Sequence, residues 1–528
     1  MTFSEEVFLD PIIPDALFNA VINADSGDVL ILSDGGVYTN SAALPVNVPL
    51  TIKTADGAAL KAKIMLVANA SDEFPENMID AKASFSLKNI ICSGQQDMGS
   101  PYSGRFINRG NIGKGKIHLA GVEVSRFQFV CVGGNCDTLI VENCLFNGNL
   151  REASSWGGTF DFLNDIVNYV KIRNNTFMFC IFGPFSGYFW ASYPPSEILL
   201  SELIIDHNTF YNITGAHGPT TTFTRAVNVQ ITNNLYINGT FRPLEFFSDK
   251  YIDFPENADE IYPYSEISYL GPKGGWIIRA SRCDTADTKI DMRNNNISFT
   301  SDVLASWEEK GLEKPWVYTN ETKMAIIDTN DAWFEEELVF YDAPAVPMFA
   351  IDSIAAHCAI GNTDTAAYKG TTPYFGWDWW NPDMSPTFDL RRREDIDMRY
   401  NRDAKSYTAG DDGLPLGDLN WWREWISIEE SVKVQPEAFL LMQNYPNPFN
   451  PSTTISYTLR NAADVKLTVY NSLGQKVKIL VDKRVAAGSH SVRWDGMNSS
   501  GEQIVSGIYY YKLETGKYFK TRKMLLVH

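Results

Sequence analysis

Short segments of one form recur along the first half of the chain, and they constrain its fold more than any other feature. The form is apolar-x-apolar-x-Asn-x-x-aromatic. The strong copies are Leu139-Ile-Val-Glu-Asn-Cys-Leu-Phe146, Val170-Lys-Ile-Arg-Asn-Asn-Thr-Phe177, Leu203-Ile-Ile-Asp-His-Asn-Thr-Phe210 and Val229-Gln-Ile-Thr-Asn-Asn-Leu-Tyr236, with a fifth at Ile290-Asp-Met-Arg-Asn-Asn-Asn-Ile297. The first four start 31, 33 and 26 residues apart. Weaker copies begin at Phe85 and Ile117. Alternation puts Val, Ile and Leu on one face of a short strand and polar residues on the other. One such coil cannot bury its apolar face alone, but stacked coils can. Asparagine suits the corner because it tolerates left-handed backbone angles. Stacked asparagines can also hydrogen-bond along the stack.

Length and composition agree. The 528 residues exceed one ordinary core, and 44% hydrophobic with 21% charged residues describes a folded chain. No apolar run reaches the ~18 residues of a membrane span. The net charge of −19 argues against nucleic acid as the partner, because phosphate contacts need a basic face. The charge is uneven. Residues 444–528 hold 12 Lys/Arg against 5 Asp/Glu, while residues 1–443 hold 33 against 59. Two separate units are expected.

Stacked coils of this length with Asn corners resemble the right-handed parallel β-helix of the pectate-lyase-like superfamily. Leu17–Ala24 reads as a short amphipathic cap. Gly27–Leu32, Gly36–Tyr38 and Leu50–Lys53 read as the first coil. The segment Ser406–Trp421, with its Gly-x-Pro-Leu-Gly-Asp pattern, resembles the closing segment of secreted β-helix proteins. Between about 251 and 400 the repeat fades, and long acidic and aromatic insertions are expected there. The seven cysteines show no metal-like spacing. Cys92, Cys144 and Cys180 read as small core side chains, and a Cys131–Cys136 disulfide is conceivable in an oxidising compartment.

The basic C-terminal stretch alternates like strands at Thr454–Leu459, Asp464–Tyr470, Ser489–Trp494 and Ile508–Leu513, separated by Gly-containing turns. About seven short strands in this length imply an immunoglobulin-like sandwich. Asn444-Tyr-Pro-Asn-Pro-Phe-Asn-Pro-Ser-Thr-Thr454, Val469-Tyr-Asn-Ser-Leu-Gly474, Trp494-Asp-Gly496, Ser506-Gly-Ile-Tyr509 and Thr521-Arg-Lys-Met-Leu-Leu-Val527 together resemble the type A C-terminal sorting domain of the type IX secretion system. That resemblance implies export to the outer surface or beyond, with the secretion machinery as a partner. Such cargo carries an N-terminal export signal. Here Met1–Glu6 is acidic and Pro11 and Pro14 interrupt the apolar patch, so the signal is expected to have been trimmed. The fold expected is therefore all-β: a right-handed parallel β-helix over 1–430, a Pro/Asn-rich linker over 431–451 and a sandwich over 452–528.

Chemistry is less legible. A lyase must neutralise a uronate carboxylate, with calcium or Arg, and take the neighbouring proton with Lys or Arg. Arg242, Glu245 and Lys250, with Arg225 and His217 of the preceding coil, are the candidate groove. Ordinary solvated charges explain the same residues. Asp411/Asp412 and Asp284/Asp287 are acidic pairs of the kind a glycosidase needs. Trp377, Trp379, Trp380, Trp421, Trp422 and Trp425 concentrate six of 13 tryptophans. Exposed, they would stack on sugar rings or form a protein interface. Buried, they would plug the solenoid end. Three readings follow: a non-catalytic surface protein that binds polysaccharide or other surface proteins, a polysaccharide lyase or glycosidase, and an architectural subunit that self-assembles into a homo-oligomer or filament.

Overall fold

A computed structural model describes residues 4–13, 15–94, 103–110, 112–132, 135–148, 160–161, 167–180, 185–187, 200–213, 221–224, 226–239, 276–281, 288–318, 325–329, 331–346, 393–422, 439–441, 444, 449–459, 462–471, 475–486, 488–515 and 518–527. The chain divides into two compact units, Met1–Trp425 and Ile426–His528.

The first unit is a parallel β-helix. Among the described residues it has three parallel sheets of ten, ten and nine strands, here called A, B and C. The chain visits them in rotation. One coil runs through Cys136–Glu142 in sheet A, Leu145–Asn147 in sheet B and Phe160–Asp161 in sheet C, and the next opens with Val167–Arg173 in sheet A. The repeated segments lie in register. Leu139, Val170, Leu203, Val229 and Ile290 are successive partners, and Phe85 and Ile117 extend the row. All seven side chains are buried.

The A-to-B corner assigns two jobs to two adjacent residues. The first takes a left-handed conformation: Asn143, Asn174, His207, Asn233 and Asn294 all have φ between 52° and 60°. Asn89 and Gly121 fill the same place in earlier coils. A Cβ at Gly121 would meet Asn89 Oδ1 at 2.3 Å, so a side chain there would displace the exposed Asn89 amide. The second residue points inward and builds a ladder. Asn175 Nδ2 donates to Asn208 Oδ1 (2.9 Å), Asn208 Nδ2 to Asn234 Oδ1 (3.1 Å) and Asn234 Nδ2 to Asn295 Oδ1 (3.0 Å). The other amide hydrogens reach the Val141, Ile172 and Ile205 carbonyls. Each carbonyl oxygen also accepts the backbone N–H of the coil before it, from Cys144 to Asn234. The ladder ends on the Ala332 carbonyl. All four asparagines are fully buried, so these bonds replace water throughout. Two residues further on, Phe146, Phe177, Phe210 and Tyr236 line up ring on ring at 4.8, 5.3 and 4.5 Å.

The N-terminal end is capped by helix Ala16–Ile22, which buries Leu17 and Val21 against the first coil. An additional strand, Glu6–Leu9, pairs with Val29–Leu32 as the outermost strand of sheet A. Within 251–400 the insertion is only partial. Trp276–Ser281, Lys289–Arg293, Asn295–Ser298, Trp316–Tyr318 and Trp333–Phe334 continue the three sheets, and helix Ser301–Glu309 joins two of them. Lys289–Arg293 and Asn295–Ser298 carry the fifth copy of the eight-residue pattern, and the other three strands do not carry it. The Cys131–Cys136 disulfide that the sequence left conceivable does not form. The two thiols belong to strands of different sheets, C and A, and both are buried. Cys92 and Cys144 are core side chains, and burial pushes the Cys144 thiol up to about 12.

The second unit is an antiparallel sandwich. Phe439–Leu441, Thr453–Leu459 and Gly488–Trp494 form one sheet. Lys476–Val485, Ala463–Asn471, Gly507–Thr515 and Tyr518–Leu526 form the other. The stretch read as a linker contributes to this fold. Leu441 is fully buried, Asn444 N donates to Tyr511 Oη (2.8 Å), and Asn444 Nδ2 donates to Thr453 Oγ1 (2.9 Å). Among the described residues no helix is long and apolar enough to cross a membrane.

The ladder yields a direct expectation. Asn208→Ala removes the acceptor of Asn175 and of its backbone N–H, and the donor to Asn234. Leaving such groups buried and unpaired costs about 3–5 kcal/mol in all. Urea unfolding of the variant should show that loss, whereas the exposed Asn401→Ala should stay within about 0.5 kcal/mol.

Candidate functional site

The densest polar cluster in the described structure lies on the A-to-B corner, under the closing segment. Asp206 ends a sheet A strand. Its carboxylate accepts from Arg173 Nε (3.0 Å), Thr232 Oγ1 (2.8 Å) and Asn233 Nδ2 (2.8 Å), and His207 Nδ1 lies 3.0 Å away. Burial alone would raise its pKa. The His207 and Asn233 contacts and the Arg173 charge outweigh that and hold the carboxyl well below the usual range. Asp411 arrives from the closing segment. It accepts from Arg293 Nη2 (3.1 Å), Asn294 Nδ2 (3.1 Å) and Asn233 Nδ2 (3.3 Å). Its pKa is also lowered, with burial opposing and Arg293 prevailing. Arg293 additionally binds Asp291.

From Asp411 the closing segment runs back across the coils towards the N-terminal end. Gly417 N donates to the Asn233 carbonyl (2.8 Å) and Asp418 N to Thr209 Oγ1 (3.0 Å). Asp418 is fully buried. Its carboxylate takes hydrogen bonds from Thr176 Oγ1 (2.7 Å), Arg393 Nη2 (2.8 Å) and Asn420 N (2.9 Å). Asn420 Nδ2 then reaches the Asn174 carbonyl (2.9 Å) and Asn143 Oδ1 (3.2 Å). Gly417 has φ +84°, and a Cβ there would meet Thr209 Oγ1 at 2.5 Å, so the segment lies flat on the coils only with glycine.

This strap decides which faces of the solenoid meet water. The sheet B strands Leu145–Asn147, Thr176–Met178, Thr209–Tyr211 and Leu235–Ile237 are buried at every position. Tyr211 Oη donates to the Pro344 carbonyl, and Tyr211, Phe340, Tyr400 and Trp422 pack edge to face in series. These four strands are thus covered by a second layer. The outer row of sheet A is polar, with His118 Nε2 2.8 Å from Glu142 Oε1 and Lys171 near the same carboxylate.

The sequence candidates fall differently. Trp421 and Trp422 are 8% and 1% exposed, which corrects their reading as a sugar-stacking surface. Trp421 Nε1 donates to Thr176 Oγ1 (2.8 Å) under the Arg393 guanidinium, and Trp422 packs on Tyr400 and Tyr407. Both faces that a glycan would need are already occupied. Asp411 serves the strap rather than a catalytic pair, and Asp412 beside it turns the chain at φ 61°. His217, Arg225, Arg242, Glu245, Lys250, Asp284, Asp287, Trp377, Trp379, Trp380 and Trp425 lie outside the described residues. His217 lies between a sheet B strand, Thr209–Tyr211, and a sheet C strand, Thr221–Thr224; Arg242, Glu245 and Lys250 lie between Leu235–Ile237 of sheet B and Trp276–Ser281 of sheet C. Arg225 separates Thr221–Thr224 of sheet C from Ala226–Thr232 of sheet A. Among the described residues no group of three His, Cys, Asp or Glu converges to hold a metal. Sequence reasoning missed Asp206, Arg393 and Asp418. Only the Gly-x-Pro-Leu-Gly-Asp pattern signalled that Asp418 belongs to a sealed joint.

Fold and site define an all-β protein in which a strapped parallel β-helix precedes an immunoglobulin-like unit. Residues 450–517 match the family model of the FlgD Ig-like domain. No curated protein matches the chain. Among solved structures the chain is similar to PorZ, an essential bacterial surface component of the type IX secretion system of Porphyromonas gingivalis, at 19% identity and a TM-score of 0.13, covering 16% of this chain and 11% of that one. It is also similar to FlgD from P. aeruginosa at 26% identity and a TM-score of 0.12, covering 17% of this chain and 64% of that one. The chain therefore spans less than two thirds of either structure, and at these TM-scores neither carries an argument about function.

Two expectations test the joint. Asp418→Ala strands Arg393 beside the core and should cost about 3–5 kcal/mol in chemical unfolding. Acid should loosen the same corner. Asp206, Asp411 and Glu142 all have lowered pKa values when folded, so their contribution is complete above the unfolded carboxylate range and is lost as pH falls through the folded values. The thermal midpoint should fall steeply below about pH 4, and less steeply in Asp411→Asn.

Proposed function

We propose that this chain is a secreted or cell-surface protein delivered by the type IX secretion machinery, and that its β-helix is a rigid, non-catalytic scaffold for binding extracellular polysaccharide and for self-association. The observation that carries this reading is the pairing of a ladder-locked solenoid with a separate basic sandwich. Buried polar groups in the described solenoid tie coil to coil, as in Asn175–Asn208–Asn234–Asn295 and Arg393–Asp418. Such a body resists bending and holds the segments between its strands at fixed spacing. The sandwich keeps the ordered motifs from Asn444 to Val527, and its Ig-like fold is the form a sorting module takes. Glycan contact is assigned to Trp377, Trp379 and Trp380, whose flat rings suit sugar faces.

The delivery half is tested in a host that has type IX secretion. The full chain should reach the cell surface or medium, and a chain ending at Trp425 should stay in the periplasm. Equal delivery of both would sink it. For the binding half, the full chain should be retained on an extracellular polysaccharide column, and Trp377→Ala with Trp380→Ala should abolish retention. Turnover of any polymer that is lost in Lys250→Ala would replace this reading with the lyase one.

A further inference from the structure

The two ends of the described chain carry surfaces that match each other. The N-terminal cap exposes Phe8 (73%) and Ile12 (85%), with Ile13 and Ile22 also exposed. Its rim is acidic. Residues 1–52 contain seven Asp/Glu and no Lys, Arg or His. Glu5, Glu6, Asp10, Asp15 and Asp25 are exposed around the apolar group. Strand Glu6–Leu9 is outermost in sheet A and has one partner among the described strands, Val29–Leu32.

The sandwich carries the converse. The inner face of its four-stranded sheet buries Val465, Leu467, Val469, Tyr511, Leu513 and Met524. The outer face should be polar by alternation, yet it exposes Ile508 (44%), Tyr510, Leu525 and Ile479. Ile508 stands opposite Leu525, and Tyr510 opposite Tyr470, which in turn faces the exposed Lys476. On this face Lys466 pairs with Asp482, Arg484 with Asp464 and Lys512 with Glu514. The unit as a whole is still basic, with 12 Lys/Arg against 5 Asp/Glu over 444–528, so it is opposite in sign to the acidic cap. An apolar centre with charge around it is how a specific interface is built, and opposite net charge favours the encounter.

We propose that the N-terminal cap of one copy docks on the outer face of the sandwich of a second copy. The patches differ, so the contact is heterologous, and its repetition adds copies head to tail instead of closing a dimer. The inference deepens the self-association part of the reading above and is independent of delivery, which the secretion experiment tests on cells.

The test uses the purified full chain in sedimentation velocity across a concentration series, at low and raised salt. The wild type should form a ladder of multimers that shortens as salt screens the rims. Ile12→Asp with Phe8→Ser should weaken association by about thirtyfold, as loss of a central anchor does. Ile508→Asp with Tyr510→Glu, which places acid against the acidic cap, should do the same. All four side chains are exposed, so the thermal midpoint should not move. An equimolar mixture of the two variants should give one-to-one pairs that grow no further, because each variant keeps one intact patch. A wild type that stays monomeric at every concentration overturns the proposal. So does a variant that associates like the wild type, or a mixture that fails to pair.

Discussion

A buried primary amide has two donors and an oxygen with two acceptor sites, and away from water all must be met. In the ladder from Asn175 to Asn295 they are met chiefly by the next coil and the one before. Each asparagine therefore fixes the spacing and register of its neighbours. A one-residue slip would turn the row from the corner and leave its groups unpaired. The in-register alignment of Leu139, Val170, Leu203, Val229 and Ile290, and the stacked rings two residues beyond the ladder, follow from that constraint.

The same constraint explains what was legible beforehand. Stacked coils repeat one environment, so they repeat one residue pattern, and a pattern is visible in a single sequence. Phe85, Ile117 and Leu139 are successive partners, and the first two begin segments already visible as weaker copies of the repeat. The two roles of Asn-Asn were harder. Both residues look alike in sequence, yet one supplies a left-handed corner and the other a buried amide. Coil strands after Asn238 were harder still, because Trp276–Ser281 and Trp316–Tyr318 keep the alternation without the asparagine that marks it.

The strap shows where local reading stops. Asp418 and Thr176 are 242 positions apart, and no periodicity links them. Trp421 and Trp422 illustrate the consequence. A tryptophan cluster near a domain boundary suits a sugar platform and a sealed joint equally well until its neighbours are known. Here the neighbours are Thr176, Arg393, Tyr400 and Tyr407, and they leave no free ring face. Burial, not residue type, separates the two meanings.

Sealing one face has a consequence for the whole solenoid. A three-sided stack normally offers three lateral surfaces, and here the four sheet B strands from Leu145–Asn147 to Leu235–Ile237, under the strap and the Tyr211–Phe340–Tyr400–Trp422 layer, are removed from contact with solvent. Charged residues at its corner, Asp206, Asp411, Arg293 and Arg173, are engaged with one another and with the corner amides. At the described N-terminal end, strand Glu6–Leu9 has one partner among the described strands, whereas the internal strands of sheet A have two, and Phe8, Ile12 and Ile13 beside it are exposed. The bonds that fix each internal coil come from both sides, and among the described residues this strand receives them from one.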